Sequence, residues 1–435
     1  MIPKLITAIP GPKSLELGKR LKKVEAPTVT YISDDFPIFW KKAQGSWVWD
    51  VDGNQFLDLT SAFGVATLGH RPEAMVKTIQ EQSELLVHGM GDVHPSETKV
   101  ELCEAISAIT WERWTGEKAQ SLLMNSGSDA IEAALKTAYL KTGKNLVVSF
   151  KEAYHGLGYG ALTHCGSKRF SEPFNEQLQQ HHIKLDYPKD AEGLALLEQQ
   201  LSLIEASKVG AVLVEPIQAR AGTNVPPPDF LPLLRQWTQQ QGACLILDEI
   251  YTGFFRTGSY FACEQVAVVP DMICIAKALT GGYPISACVG SIEVMSAWPE
   301  STGEALHTST YLGNPLGCAI GVTAIKTFNE LQTQLKIKQA CTDWQQVLNR
   351  YVQHPLVKDI KGLGLMWAVE WDNQAIEQRY QTSAADWNIQ LGLDLLQKGI
   401  ITLPEGNYGE LLGLSPNIMM SKELIEWACE QIFKI

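Results

Sequence analysis

The stretch LILDEIYTGFFRTGSYFACEQVAVVPDMICIAKALTGGYPISACVG, residues 245–290, decides how this chain is read. It contains two short apolar runs, and each stops abruptly at a charged side chain: LILD at Asp248 and MICIAK at Lys277. Brief apolar runs without polar alternation are the pattern of strands buried on both faces. Three more runs of this kind precede them: QSLLM before Asn125, NLVVSF to Phe150 and GAVLVE to Glu215. Helical periodicity lies between them, as in DAIEAALKTAYLK over residues 129–141. The alternation implies an α/β fold in which a mostly parallel sheet lies between helices. In such a sheet, ligands bind beyond the carboxyl ends of the strands, so Glu215, Asp248 and Lys277 should face one crevice.

Outside this region the pattern changes. GSWVWDVDGNQFLDLTS, residues 45–61, alternates around Asp52-Gly53 and reads as a hairpin. GLGLMWAVEW (362–371) and LLGLSPN (411–417) read as strands of a smaller C-terminal domain, with Trp367 and Trp371 in its core. Pro226, Pro227 and Pro228 mark a rigid loop, and Trp111 and Trp114 read as helix packing. The expected divisions are residues 1–69 (an N-terminal arm and part of a small domain), 70–320 (a large domain) and 321–435 (a C-terminal small domain).

Each polar residue at a strand end has a plain reading and a chemical one. A lysine ending an apolar run is either snorkelling to water or desolvated, and desolvation lowers its pKa and makes it a nucleophile toward carbonyls. Asp248 is either a helix cap or a buried carboxylate that needs a cationic or hydrogen-bonding partner. In MNSGSDAIEAALKTAYL a strand runs into a helix at Gly127 and Ser128, which is either a capping turn or an anion site built from helix N-terminal amides. In FKEAYHGLG, Tyr154 and His155 follow an apolar run, and the tyrosine is either core or a surface on which a heterocycle stacks.

The combination is specific where its parts are not. A phosphate-type loop, an aromatic, E-P-x-Q, D-E-I, a lysine and G-N-P occur in that order, and nearly the whole chain resembles the class III aminotransferases of pyridoxal-phosphate (PLP) fold type I. The resemblance implies a large domain plus a smaller α+β domain made from both chain ends. It implies that Lys277 carries PLP as a Schiff base and shuttles the substrate proton, and that Asp248 pairs the pyridine nitrogen. Gly127 and Ser128 would hold the phosphate, Tyr154 and Ile250 would cover the two ring faces, and His155, Glu215 and Tyr251 would complete the surroundings. Thr310 would reach the phosphate of a neighbouring copy, making a homodimer. The implied reaction is ping-pong transfer of an amino group between an amine or amino acid and an oxo acid or aldehyde. An amino-acid racemase or epimerase on the same fold is the alternative; a noncatalytic binding or scaffold protein is a third.

The chain also departs from the family pattern. Where relatives read E-P-x-Q-G-E-G-G, this chain reads EPIQARAGTNVPPP, with Arg220 at the glutamate position. The arginine expected before the C-terminal proline falls on Leu412, and another falls on Leu157 or Gly158. 2-Oxoglutarate should therefore bind poorly in the usual pose, since planar guanidinium forks suit its carboxylates. Trp40, Phe63, His88, Met90 and Arg220 are the candidate substrate contacts, and most of them favour a substrate with an apolar part.

Composition narrows the remainder. With 36 Lys and Arg against 48 Asp and Glu, the formal charge of −12 argues against nucleic acid as a partner. Nine scattered cysteines form no C-x-x-C pair, so they read as free thiols in a reducing compartment. Prolines interrupt MIPKLITAIPGPKS where a leader needs apolar residues, and no run approaches a membrane span, so the expectation is a cytoplasmic protein without a membrane partner. His181-His182 reads as a solvated helix end rather than a metal ligand, and no metal is expected; His70 and His94 read as structural.

Overall fold

The computed structural model describes residues 2–178 and 180–434. The chain divides into two units, Met1–Pro72 with Lys336–Ile435, and Glu73–Leu335. In chain order the strands are β1 (Trp40–Gln44), β2 (Trp47–Asp50) and β3 (Gln55–Asp58) of the first unit, then seven in the second. Those seven are β4 (Ala119–Met124), β5 (Leu146–Phe150), β6 (His182–Leu185), β7 (Val209–Val214), β8 (Cys244–Asp248), β9 (Met272–Ile275) and β10 (Ser286–Ser291). The first unit resumes with β11 (Val357–Leu363), β12 (Met366–Trp371), β13 (Ile400–Ile401), β14 (Leu403–Glu405) and β15 (Leu411–Leu414).

The unit 73–335 is built on one sheet of order β4-β10-β9-β8-β7-β5-β6. Strands β5 to β9 run parallel, and β10 is inserted antiparallel between β4 and β9. Every residue of β7, β8 and β9 is buried, as their unbroken apolar runs require. The helix Gly127–Thr142 lays Ala130, Ile131, Ala134 and Ala138 against Leu213, Ile246 and Cys274 of these strands. Small alanines let helix and sheet approach closely. The strand order puts the carboxyl ends of β7, β8 and β9 side by side, so Glu215, Asp248 and Lys277 meet at one edge.

In the other unit, β2 and β3 pair about the Asp52-Gly53 turn, and β13 from the far end of the sequence joins β3 in parallel through Ile400 and Leu57. Both chain ends thus share one sheet. A second sheet has the order β11-β12-β15-β14. GLGLMWAVEW is not a single strand: Gly364, with φ of 66°, turns the chain between β11 and β12. Trp367 and Trp371 are buried there.

Two further details differ from the sequence reading. The expected break after residue 320 falls inside the helix Pro315–Asn329, whose apolar face is buried against the helix Glu97–Ile109 within the unit 73–335. His181-His182 is not a helix end. His182 opens β6 and stands edge-on to His164 at 6.1 Å, because pairing with β5 outweighs the helical look of the preceding glutamines. His70 is structural as expected, bonded to Asp58 at 2.7 Å. All nine cysteines are free, and all but Cys103 and Cys341 are buried. Among the described residues no helix is long and apolar enough to cross a membrane.

The segment after β8 is locked by an aromatic cluster in which Phe328 meets Phe254 at 5.6 Å, Phe255 at 5.9 Å and Tyr260 at 6.4 Å. Phe328 is fully buried, so Phe328→Ala should destabilise the protein by about 3–5 kcal/mol, read as a lowered urea midpoint.

Candidate active site

Lys277 lies two residues past the end of β9, and its backbone sits in the left-handed region at φ of 44°. A non-glycine residue there stores strain of roughly 1–3 kcal/mol and persists only when its surroundings hold it. Its amino group lies 4.8 Å from the centre of the Tyr251 ring. Burial lowers the pKa of this amine below the ordinary lysine value; the charges of Asp248 and Glu215 pull it back up, and the buried Arg256 lowers it further. The amine therefore loses its proton more readily than a surface lysine, which is the condition for attack on a carbonyl.

Asp248 ends β8. His155 Nδ1 donates to its Oδ2 at 2.8 Å, and Ile250 N–H donates to Oδ1 at 3.1 Å. A carboxylate has about four lone-pair positions, so Asp248 keeps room for another donor. His155 is buried, and its Nε2 has no partner among the described residues. Cys165 braces this turn: its thiol donates to the Gly156 carbonyl at 3.1 Å and accepts the His155 N–H at 3.3 Å. Burial pushes that thiol up to about 11, so it is a strut rather than a nucleophile.

Glu215, at the end of β7, ties two loops together. Its Oε1 accepts the Tyr154 N–H at 2.8 Å and its Oε2 the Ala219 N–H at 3.1 Å. Tyr187 donates to the Glu215 and Pro216 carbonyls, at 3.2 and 2.9 Å, which pins the strand end. Burial pushes the Glu215 carboxyl up to about 7; His155 and the two amides oppose that rise, and Asp248 adds to it.

The helix Gly127–Thr142 opens with a capping box between Ser126 and Asp129. That box uses the amides of Ser126 and Asp129 and leaves those of Gly127 and Ser128 to face an anion. A Cβ on Gly127 would lie 2.9 Å from Ile250 Cδ1, and one on Gly156 would lie 2.6 Å from Ser128 Cβ, so both glycines keep a cradle open. Ser128 Oγ accepts the Gly158 N–H at 3.0 Å and still has its own hydrogen to donate.

The structure thus brings Lys277, Asp248, Glu215, His155, Tyr154, Ile250, Tyr251, Gly127 and Ser128 to one edge of the sheet. Arg220 joins them through Tyr154, whose ring centre is 5.2 Å from the guanidinium. Thr310, His88 and Met90 lie on exposed segments of the same unit, with His88 against Tyr311 at 5.3 Å. Trp40 and Phe63 belong to the other unit, where both are exposed and Trp40 stands edge-on to His70. Leu412 is a buried strand residue paired with Val369 and Pro404. Sequence reasoning missed Phe170, Cys165 and His164; no local pattern distinguishes them from ordinary core residues.

Comparison with known proteins agrees with this geometry. Residues 29–435 match the family Aminotransferase class-III. The chain is 32% identical to the 4-aminobutyrate aminotransferase of Mycobacterium leprae, over 97% of this chain and 95% of that one. It is 31% identical to the putrescine aminotransferase of Pectobacterium atrosepticum, over 94% and 83%. An ornithine aminotransferase from Toxoplasma gondii, described with PLP at its active site, superposes with a TM-score of 0.82 at 26% identity, covering 96% of this chain and 93% of that one. The chain belongs to the class III aminotransferases. It is a PLP-dependent enzyme of fold type I that transfers amino groups, and racemisation or epimerisation is not favoured. The residues fit the cofactor: a desolvated amine, a carboxylate with a spare acceptor position and a glycine-lined helix N-terminus match an aldehyde, a ring nitrogen and a phosphate.

The raised pKa of Glu215 predicts a pH dependence. Between about pH 4.5 and 7 the folded chain holds a proton that the unfolded chain has released, so this contribution to stability is whole below that window and lost as pH rises through 7. Relative to Glu215→Gln, the cofactor-free wild type should lose up to about 3 kcal/mol between about pH 5 and about pH 8, measured by urea unfolding at both values. The opposite trend expected from His164, whose pKa burial lowers to about 3, is common to both proteins and cancels.

Proposed function

We propose that this protein transfers an amino group between an apolar amine or amino acid and an oxo acid or aldehyde, with Lys277 as the catalytic amine and Asp248 as the partner of the cofactor's ring nitrogen. The observation that carries the reading is a buried amine, its pKa lowered by burial, set beside the carboxylates of Asp248 and Glu215 at adjacent strand ends. When bound, PLP supplies an aldehyde that condenses reversibly with amines and a protonated ring that withdraws electrons from the substrate carbon. Lys277 Nζ is the attachment point and, once freed by the incoming amine, the base that moves a proton at that carbon. Asp248 holds the proton on the ring nitrogen, and His155 fixes the orientation of the carboxylate. Gly127 and Ser128 amides receive the phosphate, and Tyr154 and Ile250 hold the ring between them. Tyr251 lies beside the lysine, and its hydroxyl would be a donor for the cofactor's phenolic oxygen. The unit 73–335 is the cofactor-binding domain.

We assign the working form to a homodimer in which Thr310 completes the phosphate site of the second copy. Leu86, Val87, Met90, Val93, Leu306 and Tyr311 are exposed apolar residues on the segments around Thr310, a surface that favours burial against another copy. Free thiols support a reducing compartment, the cytoplasm. His88 and Met90, on the unit that carries Lys277, are assigned to the substrate. The relatives' names cover both carboxylate-bearing and plain amines, 4-aminobutyrate and putrescine. With Leu412, and Leu157 or Gly158, in place of arginines, 2-oxoglutarate lacks guanidinium partners in the usual pose.

Two experiments test this. Lys277→Ala should bind cofactor without covalent attachment, shown by mass spectrometry after borohydride reduction, and should lose about 10²–10⁴-fold in kcat. A donor panel that follows loss of the bound cofactor's visible absorbance should show alanine or a hydrophobic ω-amine reacting roughly tenfold or more faster than glutamate. A glutamate reaction as fast as theirs would refute the substrate assignment.

A further inference from the structure

Arg220 is an exposed arginine that is nonetheless held in place. Its guanidinium lies 4.9 Å from the centre of the Phe170 ring and 5.2 Å from that of Tyr154, and these two rings meet edge-to-face at 5.7 Å. The backbone beneath it is equally constrained. Gln218 and Asn224 exchange both main-chain bonds, and the Gly222 and Thr223 amides donate to the Ala219 carbonyl at 3.0 and 3.1 Å. Thr223 and Asn224 are buried, so the loop that carries Arg220 is anchored at its far side.

The charge of Arg220 is not spent. Contacts with ring faces use the cation but none of its five N–H donors. Among the described residues no carboxylate or carbonyl pairs with it. The nearest acid in sequence, Glu215, already accepts the amides of Tyr154 and Ala219 with its two oxygens. That carboxyl also sets the spacing of the site: it binds Tyr154 on one side and the residue before Arg220 on the other. A guanidinium already resting on two rings, with its donors free, has less rotamer freedom to lose on binding a planar anion than a solvated arginine has.

We propose that Arg220 is the carboxylate receptor of this active site, so that the enzyme's amino-acid or oxo-acid substrates enter with their carboxylate against the Tyr154–Phe170 shelf. The proposal rests on the reading that Tyr154 lines the cofactor site. Plain amines use the same apolar surroundings but make no bond to Arg220. The residue therefore sets specificity and does not take part in proton transfer.

The test uses the cofactor-loaded enzyme, the variants Arg220→Gln and Arg220→Lys, and three five-carbon probes: pentanoate, 5-aminopentanoate and pentan-1-amine. Calorimetric titration with pentanoate, which cannot react, should show a dissociation constant about 10–100-fold weaker in Arg220→Gln and partly restored in Arg220→Lys. For 5-aminopentanoate the loss should fall on KM with little change in kcat, and it should be about tenfold or more larger than any change seen with pentan-1-amine. Unchanged pentanoate binding in Arg220→Gln, no pentanoate binding to the wild type, or equal losses for acid and amine would each overturn the proposal. Failure of the underlying reading has a different signature: Tyr154→Leu would leave the affinity and the visible absorbance of the bound cofactor unchanged.

Discussion

Burying an amine at the end of a strand costs free energy in its charged form, and the arrangement around Lys277 keeps that cost from simply silencing the group. Two carboxylates at neighbouring strand ends, Asp248 and Glu215, raise its proton affinity, while burial and Arg256 lower it. The result is an amine whose pKa lies below the ordinary lysine value because burial outweighs the two carboxylates. With β8 between β7 and β9, the three residues stand at adjacent strand ends, close enough for the two carboxylates to act on the Lys277 charge.

Backbone geometry keeps that edge of the sheet open. Lys277 sits at positive φ, and Phe254 and Phe255 do so at 56° and 63°, so strain is concentrated in the segments that follow β8 and β9. The aromatic cluster around Phe328 and the fully buried Glu249 hold those segments. Glu249 accepts the Thr252 hydroxyl and the amides of Ala262 and Cys263, at 3.0 and 2.9 Å for the two amides. Gly127 and Gly156 leave space where any side chain would collide with Ile250 or Ser128. Rigid surroundings, rather than any single bond, are what allow an amine, a carboxylate and a helix N-terminus to stay prearranged for one ligand.

Much of this was legible in the linear chain because it rests on local patterns. Run length and periodicity identified β4, β5, β7, β8 and β9, the helix after Gly127 and the hairpin at Asp52-Gly53, and the charged ends of the runs pointed to Glu215, Asp248 and Lys277. The glutamine-rich residues before His182 misled, since an edge strand is made by its neighbour and has little pattern of its own. The turn at Gly364 was hidden for a similar reason: an apolar hairpin with a short turn looks like one long strand.

The sequence by itself determined the element types, the order of the chemical groups and membership of the class III aminotransferases. Only the tertiary structure decided which groups touch. His155 bonds Asp248 across 93 residues, and Glu215 joins Tyr154 across 61. Arg220 rests on Tyr154 and on Phe170, a residue that no pattern marks out. The physical reason is that periodicity records which face of an element is buried, a property of neighbours in sequence. Pairing between distant side chains is settled only when sheet order and loop anchoring bring them within bonding distance.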